Sequence, residues 1–522
     1  MQTFLKVLLI TVSILVVGGA IYTWRQFADK HPDYTLDLHI APSRAGEIQV
    51  GFGKRDITPV DFDTWTDTEG NARYKPDQGD SYHDLNNNGK FDAVWLAGFH
   101  QNRPATGVND PLWARSMVLD DGATRLGICV IDMIGFGHDD VVTVRKRFQE
   151  TLGLDYLVVA STHVHSSPDL MGLWGPNPYT SGIDPAYKEQ VMQGIFASLE
   201  EASLGAEPAY LKLAINETAS LTLVGDSREP FVYDEGIRIM QVLSKQDDRT
   251  LGTLLNWGNH PETFWSGNTK ISSDFPHYWR EYMENGIYYR DSLLHEGLGG
   301  VALFMNGALG GLMTTRPNHP IIHPYSDQLI LEESVEKVDA QGLALAKMTF
   351  ETMQAGMLEV QKGSIALRAK TLELAMDNNL FRLAAWIGIF DRGFTRWGHI
   401  RSEVAAWTLG PASFVHVPGE LYPEILNGGV ESPTGADFGI DPVEVPSIRS
   451  QMPGRIRFFS GMANDMIGYI VPKSQWDEKP PFTYERDRAP YGEVNSLGPN
   501  TAPTIHAAVL DLLQELAQSP KP

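Results

Sequence analysis

Residues 126–170 read LGICVIDMIGFGHDDVVTVRKRFQETLGLDYLVVASTHVHSSPDL. An apolar run, LGICVID, reads as a strand. The segment DDVVTVRKRFQETLG then has the pattern of a helix, with Gly153 as its stop signal. LDYLVVAST returns to an apolar run, so the whole is a strand–helix–strand unit. The second strand ends in His163-Val164-His165. Side chains two apart on a strand share a face, so the two imidazoles are expected to point the same way. Paired histidines at an open strand end suit a metal site; they also suit a strand that simply becomes polar as it leaves the core.

Working outward, the same alternation continues. IQVGFGKRDITPV opens the globular part. DPAYKEQVMQGIFASLEEA is an amphipathic helix. YLKLAINET, IRIMQVLSK, TLLNWGNHP and VALFMNGALGG read as strands, a long helix follows at about 328–355, and TAPTIHAAVLDLLQELAQ closes the chain. No repeat of solenoid or propeller length is present. The expectation is an α/β fold: one large domain with a mixed β-sheet flanked by helices. Its bounds are 48–518, with 28–47 as a linker and 63–95 as an inserted, Asp- and Asn-rich loop.

Composition narrows the chemistry. The 522 residues carry a formal net charge of −23, which argues against nucleic acid as a partner. The single cysteine, Cys129, rules out an intrachain disulfide and any C-x-x-C metal site. A metal must therefore be held by His, Asp, Glu or Tyr. The N-terminus, MQTFLKVLLITVSILVVGGAIYTWRQF, is uncharged from Val7 to Trp24, and Tyr22 and Trp24 suit a membrane interface. Residues 1–27 are read as a membrane anchor or a signal segment, with the rest exported to the periplasm or cell surface.

Three further places resemble the opening stretch. NWGNHPETF presents His260 beyond a strand. FVHVPGELYPEI brings Glu420 after a Pro-Gly turn, at the start of a possible helix. ANDMIGYIVP places Tyr469 in a short strand. A carboxylate in a first helical turn and a half-buried tyrosine are each ordinary by themselves. Together with His163 these residues make a nitrogen- and oxygen-donor set suited to zinc. No G-x-S-x-G elbow supports a serine hydrolase.

These segments resemble those of the neutral, non-lysosomal ceramidases. STHVHSSPDL is similar to the family's Thr-His-Thr-His-Ser-Gly-Pro segment. NHPETF with ISSDFPHY is similar to its His-Pro and following Ser-Asp, and VPGELYPEI to its Pro-Gly-Glu. ANDMIGYIVPKSQW resembles its Asn-x-x-x-x-Tyr, and GFGKRDITP with ATGVNDPLWAR its amino-terminal signature. The order holds across about residues 48–515, the family's catalytic domain. The resemblance implies one zinc ion held by His163, His260, Glu420 and Tyr469, with His165 as proton carrier. It carries over Arg115 and Asp274 as further catalytic residues and Asn306 as a substrate contact. The implied activity is zinc-dependent hydrolysis of an N-acyl lipid amide. The family's Asn-x-Gly-Asp-x-Ser/Thr segment is here MNGALGGLMTT, without the Asp or the hydroxyl, and its amino-terminal His is replaced by Asn109 or Asp110. Two other readings therefore stand beside the first: a metal hydrolase of another amide or an ester, and a non-catalytic cell-surface binding protein.

A separate signal is DLNNNGKFD. Asp84, Asn86, Asn88, Lys90 and Asp92 occupy alternate positions around Gly89, which matches the first nine places of a calcium loop. Position twelve is Trp95, so Asp77 or Asp80 would have to complete the shell. The other reading is an Asx-rich turn without an ion.

Overall fold

The computed structural model describes residues 2–218 and 220–518. The alternation seen in the sequence becomes a nine-stranded mixed sheet. Its main strands are β1 (Ile48–Asp56), β2 (Trp113–Asp120), β3 (Arg125–Ile131), β4 (Tyr156–Ser161), β5 (Glu207–Asn216), β6 (Ile237–Ser244), β7 (Thr250–Trp257) and β8 (Val301–Asn306). They run in the order β8-β7-β6-β5-β1-β2-β3-β4, with the short Leu358–Val360 beside β5. The pairs β7/β8 and β3/β4 are parallel, and the central pairs are antiparallel. The sheet curls until its edges approach: Asn306 at the end of β8 donates to the Thr162 carbonyl just beyond β4 at 2.8 Å.

A second sheet lies against the first. It contains Asp37–Ile40, β9 (Ile365–Ala375), β10 (His399–Leu409), β11 (Ala412–His416) and a strand at Ile456–Ser460. Between the sheets, Val130, Leu211 and Leu303 pack with Leu367, Trp407 and Phe414. Trp407 and Phe414 stack with ring centroids 3.7 Å apart. On strand β3, Leu126, Ile128 and Val130 face this layer while Cys129 and Ile131 face the opposite one, as the pleat requires.

Helices cover both outer faces. Seven are used below: α1 (Gln2–Gln26), α2 (His138–Val144), α3 (Pro185–Leu204), α4 (Phe275–Asn285), α5 (Val335–Ala355), α6 (Asn379–Trp386) and α7 (Thr501–Gln518). Helix α3 lies flush on β1 because Gly51 and Gly53 have no side chain there. A Cβ on Gly51 would meet the Ala202 carbonyl oxygen at 2.0 Å. Helices α4 and α5 pack together near β8, and α7 packs on β9 and β10. The result is a helix–sheet–sheet–helix sandwich.

The stretch 28–47 is not a linker. Asp37–Ile40 pairs antiparallel with β9, and Asp29 forms an ion pair with buried Arg401 at 2.7 Å. Polar composition misleads here because an edge strand needs few apolar residues. Helix α1 has the length and apolar composition of a membrane span and buries none of that surface. Its C-terminal end touches the body of the protein. Tyr22 meets Trp386 edge-on, with ring centroids 6.1 Å apart, and Trp386 donates to Thr23 Oγ1 at 3.0 Å.

Candidate metal centre and its two-armed cavity

The site is assembled from chain segments that have just left strands. Strand β4 ends at Ser161, and His163 follows with φ +66°, a left-handed conformation that a non-glycine residue adopts only under constraint. His163 and His165 are therefore in a turn, not on one strand face. They converge all the same, with their Nε2 atoms 3.3 Å apart. His260 follows β7. One nitrogen from each of His163, His165 and His260 lies within 4.8 Å of the others.

Two backbone carbonyls decide which nitrogen each imidazole offers. His163 Nδ1 is 2.6 Å from the Ile134 carbonyl oxygen, and His260 Nδ1 is 2.7 Å from that of Met313. Each Nδ1 must donate there, which leaves each Nε2 as the ring nitrogen turned to the centre. Glu420 is not in a helix. It begins the two-residue strand β12 (Glu420–Leu421), paired in parallel with β13 (Tyr469–Ile470), so that Glu420 stands directly opposite Tyr469. Its Oε2 is 3.1 Å from His260 Nε2 and its Oε1 is 3.7 Å from His163 Nε2.

All four side chains are buried. Burial drives His163 down to about 3 despite the nearby Glu420, so this ring is neutral. Burial would raise Glu420, but His163 and His260 outweigh it and hold the carboxylate below its ordinary range. Burial and Glu420 push the Tyr469 phenol far up. Burial would lower His260, but its hydrogen bond to Glu420 and the nearby Glu262 hold it above its ordinary value. Two imidazole Nε2 atoms, a carboxylate and a phenol oxygen, gathered in a buried pocket, form a donor set that fits zinc.

His165 is held differently. Its Nδ1 lies 2.8 Å from Glu262 Oε2, and its backbone carbonyl accepts from buried Arg103 at 2.6 Å. Burial would raise Glu262, but His165 and His260 bring it down to about 2, so the carboxylate is charged. Gly98 lies against the ring, and a Cβ there would stand 2.5 Å from His165 Cβ. Glu262 was not singled out in the sequence. Its signal was available as the carboxylate two residues after His260 in NHPETF.

Two cavities meet at this centre, and both are lined by Gly98, His165, Tyr469 and Tyr491. One is a narrow arm of about 70 Å³ with an apolar wall of Leu173, Trp174, Phe381, Phe390 and Met466. The other, of about 400 Å³, carries His100, Ser227, Glu262, Thr314 and Arg316 beside Phe99 and Trp265.

No family model matches the sequence, and no curated protein matches it. The structure does have solved counterparts. A crystal structure of neutral ceramidase from Pseudomonas aeruginosa superposes with a TM-score of 0.63 at 16% identity, covering 91% of this chain and 75% of that one. A ceramidase complexed with C2 gives 0.62 at 15%, covering 90% and 75%. The chain has the neutral ceramidase fold.

Within that fold the remaining expected site residues sit apart from the cavities. Asn306 is buried and fully engaged: its Nδ2 donates to Thr162 and Asn259 carbonyls at 2.8 and 2.9 Å, and its Oδ1 accepts from Gly307. It ties together the residues immediately before His163 and His260, and it offers no free polar atom to a substrate. Arg115 is paired with Glu284 and donates to the Ala302 carbonyl at 3.0 Å. Asp274 caps α4, accepting from Phe275 N at 2.8 Å. Neither Arg115 nor Asp274 lines either arm. In the Asp84–Asp92 loop, Asn86 and Asn88 donate to Asp92, and Asp84 accepts from the backbone of Asn88 and Gly89. Asp80 is committed to Thr68 and Lys75, whereas Asp63 accepts from Leu85 and Asp92 and closes the loop.

Proposed function

We propose that this protein is a membrane-anchored, zinc-dependent hydrolase that cleaves an N-acyl lipid amide, as neutral ceramidase does. The observation that carries the reading is the convergence of His163, His260, Glu420 and Tyr469 beside a His165–Glu262 pair, in a fold shared with ceramidase. Bound by those four residues, zinc would supply Lewis acidity, polarising a carbonyl and acidifying water.

The chain's own residues supply the rest. Ile134 and Met313 fix the tautomers of the two ligand histidines. Glu262, with Oε2 2.8 Å from His165 Nδ1, anchors that side of the ring, and His165 Nε2 takes a proton from the attacking water and passes it to the leaving amine nitrogen. Both arms present mainly apolar surface, which accommodates hydrocarbon next to the centre, and the larger one also carries His100, Ser227 and Arg316, which suit a hydroxylated or charged portion. An amphiphile with an amide between its two parts fits those linings. We further propose calcium at Asp84, Asn86, Asn88, Lys90 and Asp92, with Asp63 bracing the loop.

The test is turnover of a fluorogenic N-acyl amide by the purified full-length chain. Activity that a chelator removes and zinc restores is expected. Faster cleavage of the matching ester would favour an esterase, and no turnover by zinc-loaded protein would favour a binding protein.

A further inference from the structure

Helix α6 has two apolar faces. Phe381, Ala384 and Ala385 turn inward, and Phe381 walls the apolar arm and stacks on Phe390 at 5.7 Å. Leu380, Leu383 and Trp386 turn outward, 64%, 49% and 43% exposed, with Trp397 nearby at 67%. A soluble surface rarely gathers large apolar side chains in this way without a partner.

What lies against this face is indicated by α1. The last turn of that helix is in contact with it: Tyr22 and Thr23 touch Trp386, and Phe27 meets Trp397 edge-on at 4.7 Å. If α1 crosses a bilayer, its C-terminal turn is at the lipid–water interface, and so is whatever that turn touches. Tryptophan is favoured at that depth.

We propose that the outer face of α6, with Trp397, is a bilayer-docking surface. It rests on the reading of α1 as a membrane anchor. The docked face sets the apolar arm directly behind the membrane surface, one helix thickness from the lipid. A lipid amide then reaches the centre along Phe381 and Phe390 without exposing its hydrocarbon to water.

The full-length chain suits a labelling test, because its only cysteine, Cys129, is buried and held unreactive by burial. Three variants, Ile10→Cys in α1, Leu383→Cys on α6 and Leu204→Cys at the exposed end of α3, would each carry one environment-sensitive fluorophore. They are reconstituted into phosphatidylcholine vesicles containing a lipid with a nitroxide near its headgroup. The labels at 10 and 383 should lose most of their emission, and the label at 204 should keep it. Quenching at 10 with 383 behaving like 204 would overturn the docking surface and leave the anchor standing. An unquenched label at 10 would overturn both.

Discussion

His163 and His165 are separated by one residue and have different work. His163 is fixed by the Ile134 carbonyl and faces Glu420; His165 is fixed by Glu262 and faces the junction of the cavity arms. His163→Ala should therefore lose the metal. His165→Ala should keep it and lower turnover by roughly 10²–10⁴-fold, the range for a positioned acid–base group. Metal content measured beside hydrolysis separates the two, and full activity in His165→Ala would remove its role. The pairing of these histidines was legible in the sequence, but strand alternation is not what produces it. Strand alternation ends at Ser161, and the left-handed turn at His163 depends on contacts with another part of the chain, Met133 and Ile134. Glu262 stayed hidden because its significance lies in one contact with His165, across 97 residues of chain.

Among the elements, the strand ends were easy to read because apolar runs stopped abruptly at polar residues. What joins them was not. Asn306 looked like a substrate contact, and its amide instead bridges the segments leaving β4 and β7. Asn306→Ala leaves two buried carbonyls unpaired, which costs roughly 1–3 kcal/mol each. Zinc affinity should fall by about 10–100-fold, as for other groups that hold ligands in place. Unchanged affinity in a titration against a competing chelator would contradict the bridge. The Asp84–Asp92 loop makes a separate prediction. Asp84→Ala should lower the melting temperature in calcium and leave it unchanged in chelator; equal shifts in both would reject the ion.

Helix α4 supplies a pH test. Burial pushes Asp274 up to about 7, against backbone N–H donors that oppose the shift. This folded value lies above the ordinary 3.8, so the folded chain holds the proton more tightly than the unfolded chain. Its contribution to stability is complete below 3.8 and is lost as pH rises through 7. Asn keeps the cap without the proton. Wild type should therefore lose more melting temperature than Asp274→Asn between about pH 5 and about pH 8. Parallel profiles would contradict a raised Asp274.

At the scale of the whole molecule, the α/β class and the order of segments were legible from periodicity alone. The stacking of two sheets was not, because strands of either sheet carry similar apolar runs and nothing local says which sheet a strand joins. Residues 28–47 show the same limit, since Asp37–Ile40 is a strand only because β9 is there to pair with it. Fold similarity at 15–16% identity establishes the architecture; the chemistry rests on the donor set within it. The zinc content of the purified full-length chain, measured by mass spectrometry for wild type and His163→Ala together, tests that chemistry most directly. About one zinc per wild-type chain and none in the variant is the expected result. Wild-type protein that holds no zinc when supplied with it, or His163→Ala that holds as much as wild type, would contradict the proposed centre.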